Sequence, residues 1–297
     1  MIKLCDGVLA HTAPFNNEES LSCALFEGHA DAVVALLLDD ERGTVWSGSR
    51  DATVRAWDLR AGRARLTLAQ HFGGVQALAY DAAADAGRGA VLSGARDATV
   101  NVWARAAGTC VRTLRAPRGL VNALAIRAPP ASGTAIAAAS AAASTLSDAE
   151  NNNANSATND SVATSRVAVA GTDGVVRLWD HHRGKCVRTL AGHTHAVTCV
   201  TWAPHAAPAA LGEVDGGSGG SRSTAATALA TPRLVSGGAD ATVRVWDTRS
   251  GRCTRTLVGH SGPISALLLD ERHVFSASRD GTVRLWPLHA PSNVPQT

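Results

Sequence analysis

Short runs of alternating apolar and polar residues recur along the chain, each bounded by Gly, Ser, Ala or Asp. Five twelve-residue segments align without a gap: SGSRDATVRAWD (47–58), SGARDATVNVWA (93–104), VAGTDGVVRLWD (169–180), SGGADATVRVWD (236–247) and SASRDGTVRLWP (276–287). In every copy an Asp precedes a Trp by six residues. The small residues before the Asp and the Gly or Ala after it supply turn chemistry, and the run that follows has the period of a strand. Each copy therefore predicts a β-hairpin. A second aligned block lies upstream of each: LFEGHADAVVAL (25–36), TLAQHFGGVQAL (67–78), TLRAPRGLVNAL (113–124), TLAGHTHAVTCV (189–200) and TLVGHSGPISAL (256–267). It predicts the end of one strand, a polar loop, then an apolar strand. In the third copy Pro117 stands where the others have His.

Four short strands per unit, G-H near the start and W-D at the end, at a minimum period of roughly forty residues, resemble the WD40-repeat family. The resemblance covers roughly residues 22–290 and implies an all-β WD40 β-propeller with five recognisable four-stranded blades. Residues 1–21 and 291–297 flank it as an N-terminal segment and a C-terminal tail. Seven blades are usual in that family, so a five-bladed ring, further degenerate blades and an incomplete gene product all fit. The last repeat stops after its third strand at TVRLWP, and SCALFEGH near the N-terminus is a fourth strand with no blade of its own. Pairing the two would close a ring and hide two open sheet edges. The segment IKLCD (2–6) also resembles a worn IKLWD, which would make the N-terminal segment the remnant of a preceding blade.

Four repeats carry one polar set: His29/Ser47/Asp51/Trp57, His71/Ser93/Asp97/Trp103, His193/Ser236/Asp240/Trp246 and His260/Ser276/Asp280/Trp286. A hydrolase needs one nucleophile, one base and one oxyanion hole converging in a pocket, and four equivalent copies do not fit that requirement. A structural tetrad fits. A buried indole N–H needs an acceptor, a hydroxyl accepts it and donates onward to imidazole, and imidazole donates to a carboxylate that caps turn amides. Similar tetrads staple WD40 blades. The third repeat keeps Asp173 and Trp179 but has Pro117 for His and Val169 for Ser, which predicts the most loosely held blade.

Residues at about 128–165 and 205–232, including NNNANSATND and GEVDGGSGGSRS, have the composition of disordered insertions. Both interrupt the link between first and second strands of a blade, and in the WD40 pattern both hang from the face opposite the His and Asp loops.

The resemblance implies a non-catalytic scaffold or adaptor that grips peptides on the His/Asp loop face. The residue before each repeat Asp points toward that face: Arg50, Arg96, Thr172, Ala239 and Arg279. Arg118 in the loop entering the third blade extends the arc, and Phe72 and His195 add apolar and titratable contacts. Guanidinium groups pair bidentately with carboxylate or phosphate, so the expected ligand is an acidic or phosphorylated peptide. The alternative is substrate receptor of a cullin-RING ubiquitin ligase. The local texture is similar to propellers of F-box receptors, although the positions where those carry further arginines hold Val34, Gln76, Asn122, Thr198 and Ser265. WDLR (57–60) and WDTR (246–249) resemble the box by which WD40 receptors dock on the cullin-four adaptor, with Arg60 and Arg249 docking.

Composition changes the picture little. A formal net charge of +3 is too small to argue for nucleic acid or a membrane surface as partner. The six cysteines show no C-x-x-C pair and no zinc spacing, so neither metal nor cofactor is expected, and Cys110, Cys186 and Cys253 fall at one repeated position that reads as packing. No stretch has the apolar length of a signal-peptide core or a membrane span, which places the expected protein in the cytoplasm or nucleus.

Overall fold

The computed structural model describes residues 2–5, 23–82, 89–115, 119–127, 166–203, 233–270 and 272–288. The expected insertions at 128–165 and 205–232 and the tail at 291–297 lie outside the described residues. Two strands, β1 (Ile2–Cys5) and β2 (Cys23–Phe26), form an antiparallel pair. Blade 1 follows with β3 (Val33–Asp39), β4 (Thr44–Ser49), β5 (Val54–Asp58) and β6 (Arg63–Leu68). Blade 2 has β7 (Val75–Asp81), β8 (Ala90–Ala95), β9 (Thr99–Ala104) and β10 (Cys110–Arg115). Blade 3 has β11 (Val121–Ile126), β12 (Arg166–Gly171), β13 (Val175–Asp180) and β14 (Lys185–Ala191). Blade 4 has β15 (Val197–Trp202), β16 (Arg233–Gly238), β17 (Thr242–Asp247) and β18 (Arg252–Val258). Blade 5 has, among the described residues, three strands, β19 (Ile264–Leu269), β20 (His273–Ser278) and β21 (Val283–Pro287). Each sheet is an antiparallel meander. The segments outside the described residues in blades 3 and 4 fall between first and second strands, as their position in the repeat requires.

The turn between second and third strands has one geometry throughout. Ala52, Ala98 and Ala241 sit at φ of 66°, 63° and 60°, and Gly174 and Gly281 occupy the same place at 76° and 82°. Left-handed backbone strains an L-residue, so three alanines there carry a small cost that the two glycines do not.

Burial follows strand position. The second strands β4 and β8 are buried on both faces because a neighbouring blade covers each side, while the fourth strands face solvent except at their inner end. The core consequently lies between blades. Trp46, Ala56 and Leu68 of blade 1 pack on Val75, Val91 and Trp103 of blade 2, and Val235, Val243 and Leu257 of blade 4 pack on Ile264 and Val274 of blade 5. Strand β8 comes so close to the next blade that a Cβ on Gly94 would lie 2.5 Å from the Val121 side chain.

The pairing of SCALFEGH with the last repeat is corrected by the structure. Strand β2 bonds to β1, with Ile2 opposite Phe26 and Cys5 opposite Cys23. This is the register of third and fourth strands in blade 1, where Val54 faces Leu68. Phe26 packs on Val45 and Trp57, as Leu68 packs on Val91 and Trp103. The β1–β2 pair is a separate two-stranded sheet that precedes blade 1 along the chain. Among the described residues nothing covers the outer strand of blade 5, where Val283 is 72% and Leu285 56% exposed while the matching Val54 and Ala56 are fully buried.

Candidate functional site

The loop face is built on the four tetrads, which have the same geometry. In blade 1 Trp57 Nε1 donates to Ser47 Oγ (2.8 Å), Ser47 Oγ donates to His29 Nε2 (2.7 Å), and His29 Nδ1 donates to Asp51 Oδ2 (2.8 Å). The same three bonds measure 2.8, 2.7 and 2.9 Å in blade 2, 2.8, 2.8 and 2.9 Å in blade 4, and 2.8 Å throughout in blade 5. With the serine hydroxyl donating to Nε2 and the carboxylate accepting at Nδ1, the assignment places a ring hydrogen on Nδ1. The carboxylate then ties the hairpin turn to the loop. Asp51 accepts Thr53 Oγ1 (2.7 Å), Thr53 N (2.9 Å) and Ala30 N (3.0 Å).

Trp286 corrects the expectation of a buried indole in every tetrad. Trp57, Trp103 and Trp246 are buried, whereas Trp286 is only partly so, although its Nε1 still donates to Ser276 Oγ. The physical reason is the missing cover. A fourth strand pairs with the third beside each of the buried indoles, setting Ala64 opposite Trp57, Cys110 opposite Trp103 and Cys253 opposite Trp246. Strand β21 has no such neighbour among the described residues, so water reaches the Trp286 ring from that side.

These bonds set the protonation states. Burial pushes Asp97 and Asp240 upward, but hydrogen bonds from Thr99 with Phe72 and His71, and from Thr242 with His193, outweigh it and hold both carboxyls below the usual range. Asp51 is lowered in the same way and Asp280 chiefly by Thr282. Burial pushes His193 below its ordinary value against the attraction of Asp240. The tetrads offer no reaction centre: Ser47, Ser93, Ser236 and Ser276 are all 0% exposed, so no substrate carbonyl can reach an Oγ.

Blade 3 solves the same problem differently. Val169 is buried where the serine would stand, and Pro117 lies outside the described residues. Asp173 is instead bonded by Arg177 Nη2 at 2.7 Å, from a guanidinium buried four residues along the chain. Thr172 adds a reciprocal pair, its N bonding Leu120 O and its Oγ1 accepting Leu120 N, each at 3.0 Å. Reading the sequence for His and Ser alone missed Arg177; the signal was an Asp with Arg at i+4 and no His upstream.

The residues ahead of each Asp occupy equivalent places. The backbone N of Arg50, Arg96, Thr172, Ala239 and Arg279 donates to the loop carbonyl of Ala32, Gly74, Leu120, Ala196 and Pro263, at 2.8–3.0 Å. The side chains of Arg50, Arg96 and Arg279 are exposed, and among the described residues none forms an ion pair. Blades 1 and 2 bring two of them to one loop. A Cβ on Gly74 would lie 3.0 Å from Arg50 Cα, and one on Gly73 3.2 Å from Arg96 Cβ. Phe72, next to these glycines, is 97% exposed. His195 is exposed on blade 4 and Arg279 on blade 5. Arg118 lies outside the described residues.

The positions compared with the F-box texture include blade-to-blade clasps. Asn122 Nδ2 donates to Val197 O (2.8 Å), and Thr198 Oγ1 donates to Ile264 O (2.6 Å). Arg60 and Arg249 occupy exposed turns at the other strand ends, with their backbone N on Asp58 and Asp247 carboxylates at 2.9 and 2.8 Å. Cys110 and Cys253 edge the core, but Cys186 at the same repeat position is exposed, which corrects its reading as a packing residue. Among the described residues no helix is long and apolar enough to cross a membrane.

A family model described as WD domain, G-beta repeat matches residues 184–207, 222–247 and 251–287. The chain belongs to the WD40-repeat family. Along most of its length this WD40 chain is similar to Mitochondrial division protein 1 of Pyricularia oryzae, at 31% identity over 84% of the chain and 37% of that protein. It is also similar to Nuclear distribution protein PAC1 of Coccidioides posadasii, at 35% over 40% of the chain and 24% of that protein. Nuclear distribution protein nudF of Aspergillus niger matches at 30% over 41% of the chain and 27% of that protein. The chain thus spans well under half the length of these relatives.

Proposed function

We propose that this WD40 chain is a non-catalytic scaffold or adaptor of the cytoplasm or nucleus, which binds an acidic or phosphorylated peptide across the loops of blades 1 and 2. One observation carries the reading: Phe72, almost wholly exposed, stands beside glycines packed against Arg50 and Arg96, whose guanidinium groups have no carboxylate partner among the described residues. An exposed aromatic on a loop packed against the backbones of two arginines, on tetrad-braced turns, offers an apolar anchor with bidentate anion donors nearby. Rigid loops lower the ordering cost of binding. The relatives' names, which speak of nuclear distribution and mitochondrial division, denote no enzymatic reaction. Docking on a ligase adaptor through Arg60 and Arg249 has only their exposure behind it and is not advanced.

Fluorescence polarisation against a panel of phosphorylated, acidic and neutral peptides tests the reading. The expected result is a preference for the anionic members that weakens roughly tenfold or more in Arg50→Ala with Arg96→Ala, the cost of about one charge-assisted hydrogen bond or more, and that weakens again with Phe72→Ala at unchanged melting temperature. Arg279→Ala reports whether blade 5 contributes. No preference among peptides, or binding indifferent to all three substitutions, would contradict it.

A further inference from the structure

At the strand ends opposite the proposed peptide face, each blade meets the next through the end of its first strand. Between blades 1 and 2 this contact is a buried ion pair, Asp39 to Arg105 at 3.2 Å, with Arg105 also against the Tyr80 ring. Between blades 4 and 5 it is apolar, with Ala203 packed against the cluster that contains Leu288. Between blades 2 and 3 it is Asp81, at the end of β7, against His181 and His182 in the turn after β13.

That third junction is chemically different. Asp81 and His181 are 2% and 1% exposed. Asp81 Oδ2 lies 2.9 Å from His181 Nε2 and 3.6 Å from His182 Nε2, the imidazole rings are 4.2 Å apart, and the ligand atoms all lie within 4.8 Å of one another. Both ring nitrogens of His181 are buried and neither makes a hydrogen bond among the described residues, so the short approach to Asp81 is not directed as one. A buried imidazole with neither nitrogen bonded is unfavourable, and such groups in native proteins call for an explanation such as an ion. An imidazolium–carboxylate pair alone would repeat the Asp39–Arg105 junction, but it leaves the second imidazole at the same oxygen without a role.

We propose that Asp81, His181 and His182 bind one divalent transition-metal ion of the zinc class, clasping blade 2 to blade 3. Imidazole and carboxylate are the donor types that such ions take, and three protein ligands leave a fourth position toward solvent. Donors bonded tetrahedrally at about 2.0–2.1 Å lie about 3.3–3.5 Å from one another, between the two separations the carboxylate oxygen already has. His182 is the ligand with freedom to adjust, its side chain being 42% exposed. Of the charges around it, Asp180 favours a cation and Arg112 opposes one. The clasp would fall on the blade that lacks a tetrad. No spacing rule could disclose the site, because one ligand lies about a hundred residues from the other two along the chain.

Cobalt(II) added to the metal-stripped full chain tests it by visible absorption, followed by displacement with zinc(II). The expected result is one equivalent with the intense bands of low-coordinate cobalt, abolished by zinc. His182→Ala, at an exposed position, should leave the fold intact by circular dichroism while weakening binding beyond the roughly tenfold to hundredfold cost of losing an outer-shell partner. Zinc should raise the melting temperature of the parent but not of His182→Ala. Only the aqueous cobalt spectrum, or a bound spectrum unchanged by both His182→Ala and Asp81→Asn, would overturn the proposal.

Discussion

Blades 3 and 4 are neighbours with the same strand order and the same Asp-to-Trp spacing, yet they brace their turns by different chemistry. Blade 4 runs a chain of hydrogen bonds from Trp246 through Ser236 and His193 to the Asp240 carboxylate. Blade 3 has one ion pair, Arg177 to Asp173, and a valine where the hydroxyl belongs. The tetrad reaches from the third strand through the second to the loop ahead of the first. The ion pair stays within one hairpin. The repeat therefore needs a braced turn at every copy, whereas the connection from turn to loop can be given up once and replaced by contacts elsewhere in the blade.

The largest difference should come from deleting the central group of each brace. His193→Ala leaves the buried Ser236 hydroxyl without its acceptor, takes one donor from Asp240 and opens a buried space, and is expected to cost about 3 kcal/mol in denaturant unfolding. Arg177→Ala leaves Asp173 its bond from Val175 N and should cost about half that. Equal losses would erase the distinction.

Exchanging the second member sharpens it. Ser236→Val in blade 4 removes the acceptor of Trp246, while Val169→Ser in blade 3 adds a buried hydroxyl where the aligned loop position is proline. Both should destabilise by about 1–2 kcal/mol, although each makes its blade resemble its neighbour. A gain from Val169→Ser would mean that blade 3 is a damaged tetrad rather than a different brace.

Much of this was legible in the sequence because each tetrad comes from four positions that recur in register. The turn residues were legible for the same reason. Arg177 was not, since an arginine also occupies that strand position as Arg55 and Arg244 in complete blades, and only the missing histidine changes its partner. The partial exposure of Trp286 was not legible either, because a repeat position records which atoms bond and not which strand covers them. Position along the chain also could not show that β2 bonds β1, nor that Asp81 meets His181, because both are facts of pairing in space. Of the candidate ligand contacts, the arginines were found by their place before the Asp. The nearness of Phe72 to Arg50 and Arg96 rests on two glycines that let the backbones touch.

Acidification should separate the two braces more gently. The native state holds His193 in its neutral form below the ordinary pKa, so its contribution is present above about pH 6.5 and is lost as pH falls below that, when the unfolded chain takes up the proton first. The depressed carboxyls of Asp97 and Asp240 act lower, their contribution being present above about pH 4 and lost as pH falls through their folded values. Between pH 7 and 5 the melting temperature should therefore fall less in His193→Gln than in the parent. Arg177→Ala should leave that slope unchanged, since a guanidinium keeps its charge over this range.

The smallest effect expected is at the turn. Ala98→Gly relieves a left-handed alanine and should add about 1 kcal/mol, whereas Gly174→Ala in blade 3 would place a Cβ 2.8 Å from His193 O and lose more than that. Thermal unfolding of both variants reads the sign.

The central claim is that the tetrads hold the blades and that blade 3 is held less firmly without one. Native-state hydrogen exchange, read strand by strand, tests it most directly. The account predicts that amides of β12 and β13 exchange faster than those of β8 and β9 on one side and β16 and β17 on the other. Equal protection across the three blades would contradict it.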